Sequence, residues 1–377
     1  MSNTKRHPQF PLDDDVLYFN HAAVSPWPTC AVDAIQDFSQ QNLKTGSSNY
    51  LKWMEIERNL RELLCKLINV DSSNDIALLK NTSEGLSVIA YGLDWEKGDN
   101  IVIPADEFPS NRIVWQSLKQ FGVELRQIDI RDTDNAEQAL IDAADDKTRL
   151  ISVSAVQYTD GFKLDLAKLG AYFSTTETLF VVDAIQQLGA LRFDNKQIKA
   201  DFIIADGHKW MLGPEGLALF YSHPDARSQL KLKQFGWRMI ENPTDFNQQD
   251  WEISTTATRF ECGSPNMLAI FALHASIQLL LETGLDSIEE TILSNTSNIL
   301  KYIENNEKYN SLMSTDVSRH SGIVLLEHQD INSTELFKLL TLQGVQCAER
   351  GNGIRLSPHF YQSEWEFDRL FNILSSI

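Results

Sequence analysis

Three short segments carry side chains able to do chemistry together. The first is Lys80-Asn-Thr-Ser-Glu-Gly85, directly after the apolar run Ile76-Ala-Leu-Leu79. Asn81 and Glu84 have the three-residue spacing of a capping box at a helix start. Free N–H groups there, with the Thr82 and Ser83 hydroxyls, form an anion site suited to a phosphate. The second is Asp183, which closes the run Leu179-Phe-Val-Val182. A carboxylate at the end of a buried strand is costly unless paired, and a protonated heterocyclic nitrogen would pair it. The third is Asp206-Gly-His-Lys209, which follows Phe202-Ile-Ile204. Lys209 lies in a largely apolar stretch between two expected strands. Desolvation lowers a lysine's pKa and makes its amine nucleophilic. Taken singly, each segment also has an ordinary meaning: a capped helix, an N-cap, a surface lysine.

The elements that must hold these groups are legible as well. Runs at 76–79, 100–103, 123–126, 150–153, 179–182, 202–204 and 217–220 read as strands. Their nearly continuous apolar character suits strands buried on both faces. Helical patterns at 85–91 and 112–121 lie between them. The alternation predicts an α/β fold: a mostly parallel seven-stranded sheet flanked by helices. In such sheets ligands bind at the carboxyl ends of strands, where all three segments fall. A phosphate site, an Asp and a Lys in those places are what pyridoxal 5'-phosphate requires. The lysine forms the Schiff base, and the acid keeps the pyridine nitrogen protonated. Gly213-Pro-Glu-Gly216 reads as a turn and lacks the Lys-Ser/Thr of a Walker phosphate loop.

After residue 265 the texture changes. A long apolar helix at 267–282 ends at Gly284, and a second follows at 286–306. Then come a strand at 322–326, a helix opening near 332, a strand at 345–348 that contains Cys347, and a last helix. Ser363 and Glu366 have capping-box spacing for that last helix. The expected division is a large cofactor-binding α/β domain at 21–265 and a smaller α+β domain made of 1–20 and 266–377.

Composition excludes several classes. The chain has 377 residues and a formal net charge of −19, from 33 Lys+Arg against 52 Asp+Glu. That acidity argues against nucleic acid as a partner, because phosphate backbones need basic side chains. No polybasic segment is present to hold a membrane surface, and no run approaches the roughly 18 apolar residues of a spanning helix. The first residues contain no apolar signal core. Cys30, Cys65, Cys262 and Cys347 are scattered, as thiols in a reducing cytoplasm would be. A cytoplasmic location is therefore expected. The histidines form no H-E-x-x-H pattern, so no metal site is expected.

Over nearly its whole length the sequence resembles the class V aminotransferase group of fold-type I pyridoxal-phosphate enzymes. That group includes cysteine desulfurases, selenocysteine lyases and isopenicillin-N-epimerase-like proteins. The resemblance is carried by Tyr18-Phe-Asn-His-Ala-Ala-Val-Ser-Pro26, Asn81-Thr-Ser-Glu-Gly85, Glu107-Phe-Pro-Ser-Asn111 and Ser154-Ala-Val-Gln157. It continues in Val182-Asp-Ala-Ile-Gln186, Asp206-Gly-His-Lys209, Arg259-Phe-Glu-Cys-Gly-Ser-Pro-Asn266 and Arg355-Leu-Ser-Pro-His359. It implies that Lys209 is the Schiff-base lysine and proton shuttle, and that Asp183 pairs with the ring nitrogen. Thr82, Ser83 and His208 would hold the phosphate. Phe108 takes the ring-stacking place, often a histidine, and cannot relay protons. Gln157 would contact the ring's 3-oxygen, with Gln186 a neighbour of the ring. Ser264 would reach the phosphate of a second subunit, which implies a homodimer with shared sites. Arg355 would grip the substrate carboxylate, beside the backbone of Ala22 and Ala23.

Departures narrow the reaction. Desulfurases of the group carry a nucleophilic cysteine on a loop shortly before the carboxylate-binding arginine. Here that stretch is Arg350-Gly-Asn-Gly-Ile-Arg355, without cysteine. Cys347 and Cys262 read as structural. Asp206 stands where some relatives have a serine, and is expected to point away from the phosphate or to be paired. Trp237, Phe246 and Trp251 are expected to pack a loop near the site mouth; Arg112 and Arg238 could serve a distal acid group of a substrate, but as isolated arginines they are expected on the surface. The leading expectation is an amino-acid enzyme working at the α-carbon, as a transaminase or C–S/C–Se lyase. Epimerase-like or desulfurase-like activity, and a non-catalytic binding or scaffold protein, are the alternatives.

Overall fold

The computed structural model describes residues 6–131, 133 and 135–377. Its strands, in chain order, are β1 (Leu17–Tyr18), β2 (Ile76–Leu79), β3 (Asn100–Pro104), β4 (Glu124–Ile128), β5 (Thr148–Ser154), β6 (Leu179–Asp183) and β7 (Phe202–Asp206). They continue as β8 (Ala218–Ser222), β9 (Tyr309–Ser311), β10 (Val324–His328), β11 (Val345–Gln346), β12 (Ala348–Arg350) and β13 (Gly353–Leu356). Seven of them make one sheet in the order β2-β8-β7-β6-β5-β3-β4. In this sheet β8 runs against the other six strands, which are mutually parallel.

Every residue of β2, β3, β6, β7 and β8 is buried. Period-two alternation sends successive side chains into two separate cores. Ile76, Leu78, Val102, Ile151, Val182 and Ile203 join one. Ala77, Leu79, Ile101, Leu150, Val181 and Ile204 join the other. Both faces are therefore apolar, which is why these strands read as unbroken apolar runs. The edge strand β4 is partly exposed and starts one residue later than the expected 123–126, running on to Ile128. The expected helix at 112–121 is an α-helix, Ser110–Gln116, tightened into a 3₁₀ turn, Ser117–Phe121.

Helix Met267–Thr283, apolar almost all round, sits in the first core and packs on helices Thr29–Thr45 and Tyr50–Ile68. Among the described residues no single helix is long and apolar enough to cross a membrane; Met267–Thr283 and Leu285–Glu304 meet at 83°. A second, antiparallel sheet, β12-β13-β10-β9, builds its own core with helices Leu285–Glu304, Ser333–Leu342 and Glu364–Ser376. The last helix has the expected Ser363–Glu366 capping box.

The expected strand at 345–348 is corrected. It breaks at Cys347 because its halves serve different sheets: β11 pairs with β1, β12 with β13. Cys347 is still buried, and burial pushes its thiol up to about 12.

Candidate functional site

Strands β3, β5, β6 and β7 are parallel, and β2, antiparallel to β8, runs with them. Their carboxyl ends thus open on one side of the sheet, where α/β proteins hold ligands. A cavity of about 260 Å³ lies there. Its wall includes Ala22, Ala23, Thr82, Ser83, Phe108, Asp183, Gln186, His208, Lys209 and Arg355, ten of the twelve site residues expected from sequence.

The phosphate end is built by helix Thr82–Gly92. Asn81 accepts a hydrogen bond from the Glu84 N–H (2.9 Å). The Glu84 carboxylate accepts from the Lys80 N–H (2.7 Å) rather than from Asn81, so the reciprocal arm reaches one residue back. A side chain on Gly85 would meet Ile204 and Phe220 at 3.1 Å, so glycine lets the helix lie close on β7 and β8. The buried Thr82 hydroxyl has no hydrogen-bond partner among the described residues. Ser83 donates to Ser110 across the rim (2.8 Å).

Asp183 ends β6 and accepts from the Ile185 N–H (3.0 Å); turns follow it, so it caps no regular helix. Burial raises its pKa to about 6 against the opposing pull of Lys209. Lys209 is also buried, and desolvation lowers it to about 8, although Asp183 pulls the other way. Its Nζ stands 5.5 Å from the centre of the Phe108 ring. Ser25 clamps the lysine loop: its N–H donates to the His208 carbonyl (2.8 Å) and its hydroxyl to the Lys209 carbonyl. Asp206 lines the cavity with its Oδ1 3.1 Å from His208 Nδ1, and among the described residues neither atom has an aligned hydrogen-bond partner.

At the other end Arg355, on β13, is 1% exposed. Its Nη1 donates to the Tyr158 carbonyl (2.6 Å), while Nε and Nη2 have no partner among the described residues. Burial, and then the neighbouring Arg350, lower it to about 9. A buried guanidinium with free donors is a fork waiting for a carboxylate. Gln186 donates to the Ala22 carbonyl (3.0 Å) and accepts from the Trp210 indole (2.9 Å), fixing the backbone beside that fork.

A sequence model of the aminotransferase class-V family matches residues 17–370. The chain belongs to that family. It is a pyridoxal-phosphate enzyme, and the cavity fits the cofactor. The unpartnered Thr82 hydroxyl and the helix N-terminus suit a phosphate, Asp183 a ring nitrogen, and Lys209 an aldehyde. A probable cysteine desulfurase from Methanothermobacter thermautotrophicus is 28% identical, covering 97% of this chain and 96% of its own. An uncharacterized aminotransferase from Bacillus subtilis is 28% identical over 88% of this chain and 86% of its own. Among solved structures, a cystine C–S lyase in complex with its product cysteine persulfide has a TM-score of 0.91. Its identity is 24%, over 98% of this chain and 100% of that one.

Two residues singled out from the class-V resemblance stand outside the cavity wall. Gln157 is wholly buried and donates to Glu107 (3.1 Å), leaving its Oε1 unpartnered. The next residue, Tyr158, lines the cavity instead and meets Phe108 edge-on at 5.1 Å. Ser264 is exposed and lines a different cleft with Lys80, Glu84 and Cys262. Arg238 is not a surface residue: its side chain is 10% exposed and bridges to Glu57 (2.6 Å). None of Trp237, Phe246 and Trp251 touches the cavity. Sequence reasoning missed Arg350, Tyr158 and Ser110 in the wall, and the buried acid Glu107. The Ser154 N–H (2.6 Å) and hydroxyl both donate to Glu107, and burial raises it to about 7.

Proposed function

We propose that the enzyme acts at the α-carbon of an amino acid, with Lys209 as the covalent anchor and proton carrier. The observation that carries this reading is one cavity holding a desolvated lysine, a buried acid and a buried arginine with two free nitrogens. Pyridoxal phosphate, when bound, supplies an electrophilic aldehyde and a sink for the carbanion's electrons.

The chain's own residues do the rest. Arg355 orients the substrate carboxylate, with Gln186 holding the Ala22 peptide beside it. Lys209, lowered to about 8, is partly neutral near neutral pH and can take the α-proton. Asp183 holds the ring nitrogen's proton. Phe108 would face the ring, and having no titratable group it leaves proton traffic to Lys209. Thr82, Ser83 and His208 would hold the phosphate.

A C–S or C–Se lyase, or a transaminase, suits the site better than a persulfide-forming desulfurase. The hairpin 350–355 has no cysteine, and Cys347 is buried as a thiol. The desulfurase and cystine lyase names among the relatives support sulfur amino acids as substrates. The exposed Ser264 supports a homodimer in which it completes the second copy's site.

The test is spectral. Purified protein loaded with pyridoxal phosphate should show the visible absorbance of the lysine-bound cofactor, and cysteine, cystine or alanine should shift it. Lys209→Ala should abolish both the band and turnover. Full activity in that variant, or no spectral response to any amino acid, overturns the reading.

A further inference from the structure

Arg350 is the one cation of the cavity wall without an assigned task. It ends β12, and Gly351, with φ +53°, turns the chain back into β13. The register pairs Ala348 with Arg355 and Arg350 with Gly353. Arg350 is two residues beyond Ala348, so it lies on the same face of the hairpin as Arg355, as its diagonal neighbour. Such neighbours lie roughly 7–8 Å apart. Both side chains reach the cavity.

Among the described residues no acid forms an ion pair with Arg350. Its one hydrogen bond among the described residues goes from Nη1 to the Glu349 carbonyl (2.7 Å). The Glu349 carboxylate is turned to Ser333 (2.8 Å) and Thr334 (2.7 Å). Within the wall, Asp206 stands 3.1 Å from His208 and the charge of Asp183 acts on Lys209. The charge of Arg350 is felt across the cavity, since it helps pull down both Arg355 and Lys209. A single α-carboxylate occupies one guanidinium fork and leaves the other open.

We propose that Arg350 is a specificity-determining residue that selects amino acids carrying a second acidic group on the side chain. The class comprises side chains ending in a carboxylate or sulfinate, or in the far carboxylate of a disulfide-linked diamino acid. Arg355 takes the α-carboxylate and Arg350 the distal acid, each by the planar fork that suits oxyanions. The assignment rests on the amino-acid reading given above and names its substrate class.

The experiment is a titration of the cofactor-loaded enzyme, read as the absorbance change of the bound cofactor. Dissociation constants are measured for L-aspartate, L-glutamate and L-cystine, and for the neutral comparators L-alanine and L-norvaline. The expected result is at least a tenfold preference for the acidic set. In Arg350→Gln that preference should collapse towards unity, and Arg350→Lys should restore part of it. Unchanged cofactor affinity and melting temperature would show that the variants are folded. If neutral amino acids bind the wild type as tightly as acidic ones, or the preference survives Arg350→Gln, the assignment of Arg350 is overturned while the amino-acid reading stands. If both sets weaken equally in Arg350→Gln, Arg350 shares the α-carboxylate and the assignment is again overturned. If no amino acid perturbs the cofactor, the amino-acid reading fails and takes this assignment with it.

Discussion

Arg61 and Arg355 are both buried, and their surroundings treat them in opposite ways. Arg61 donates to Glu261 (2.6 and 2.9 Å), to Glu57 and to the Ile76 carbonyl (3.0 Å). Arg238 adds a second cation to Glu57. Burial pulls the Arg61 pKa down, but Glu261 and Glu57 outweigh it and the net shift is upward. Arg355 has one carbonyl, two idle nitrogens and a like charge nearby, and falls to about 9. The first cluster satisfies Arg61 from within the fold, although Glu57 Oε2 and Arg238 Nη1 have no partner among the described residues, and it ties helix Tyr50–Ile68 to β2 and to the segment before Ser264. The second is open, and holding it so costs stability. A buried charge that the fold leaves unsatisfied marks where an outside ion belongs.

The largest expected effect separates the two on activity. Arg355→Leu should lower kcat/KM roughly 10²–10³-fold, the scale of losing a charged contact to substrate. Stability without cofactor should hold or rise, because an unpaired buried charge is removed with its donors. Denaturant unfolding beside steady-state kinetics checks it; a large stability loss would mean Arg355 is structural like Arg61.

Glu57→Gln should do the reverse. Removing one partner from a buried ion cluster costs about 3–5 kcal/mol. The folded fraction should keep kcat/KM within about threefold, since Glu57 does not line the cavity. A variant as stable as the parent would show that the cluster does not depend on Glu57.

The sheet and the open site were legible in sequence for the same reason. Strands covered on both faces are unbroken apolar runs, and Thr82, Asp183 and Lys209 stand just past their ends. What was not legible depends on direction. Gln157 and Tyr158 are adjacent beyond β5, yet only Tyr158 reaches the cavity; a turn closed by the Gly161 N–H on the Gln157 carbonyl begins there, and no periodicity in the sequence says which of the two side chains it aims inward. Arg350 comes from a hairpin over 140 residues after Lys209, and only the β12–β13 register places it beside Arg355. Arg238 looked like surface because its partner Glu57 is 181 residues away. A single sequence carries periodicity well and pairing poorly.

Lys209 extends the comparison from arginine to lysine. Like Arg355 it is a buried cation kept under-compensated, so deleting its charge should stabilise the cofactor-free protein. Lys209→Met should gain about 1–2 kcal/mol at pH 7, from the penalty implied by its lowered pKa. Differential scanning calorimetry would read this as a higher Tm. A lower Tm would place Lys209 with the Arg61 cluster, as a group the fold uses for its own cohesion.

The smallest effect is the pH dependence of that gain, and its sign is fixed. Lys209 titrates at about 8 in the folded chain and near 10.5 unfolded. Between those values the unfolded state binds more protons, so wild-type stability from this group rises with pH. Below 8 the penalty is fully present; above 10.5 it is gone. Asp183, at about 6, and Glu107, at about 7, act in the opposite sense but finish titrating before the window opens. Arg355, at about 9, also lies in the window, but it is present in both proteins and largely cancels in the difference. The Tm advantage of Lys209→Met should therefore be greatest near pH 7 and shrink steadily from pH 8 to pH 10. A constant advantage would mean that the methionine gains by packing alone, and the lysine's charge would then be no burden to the apo fold.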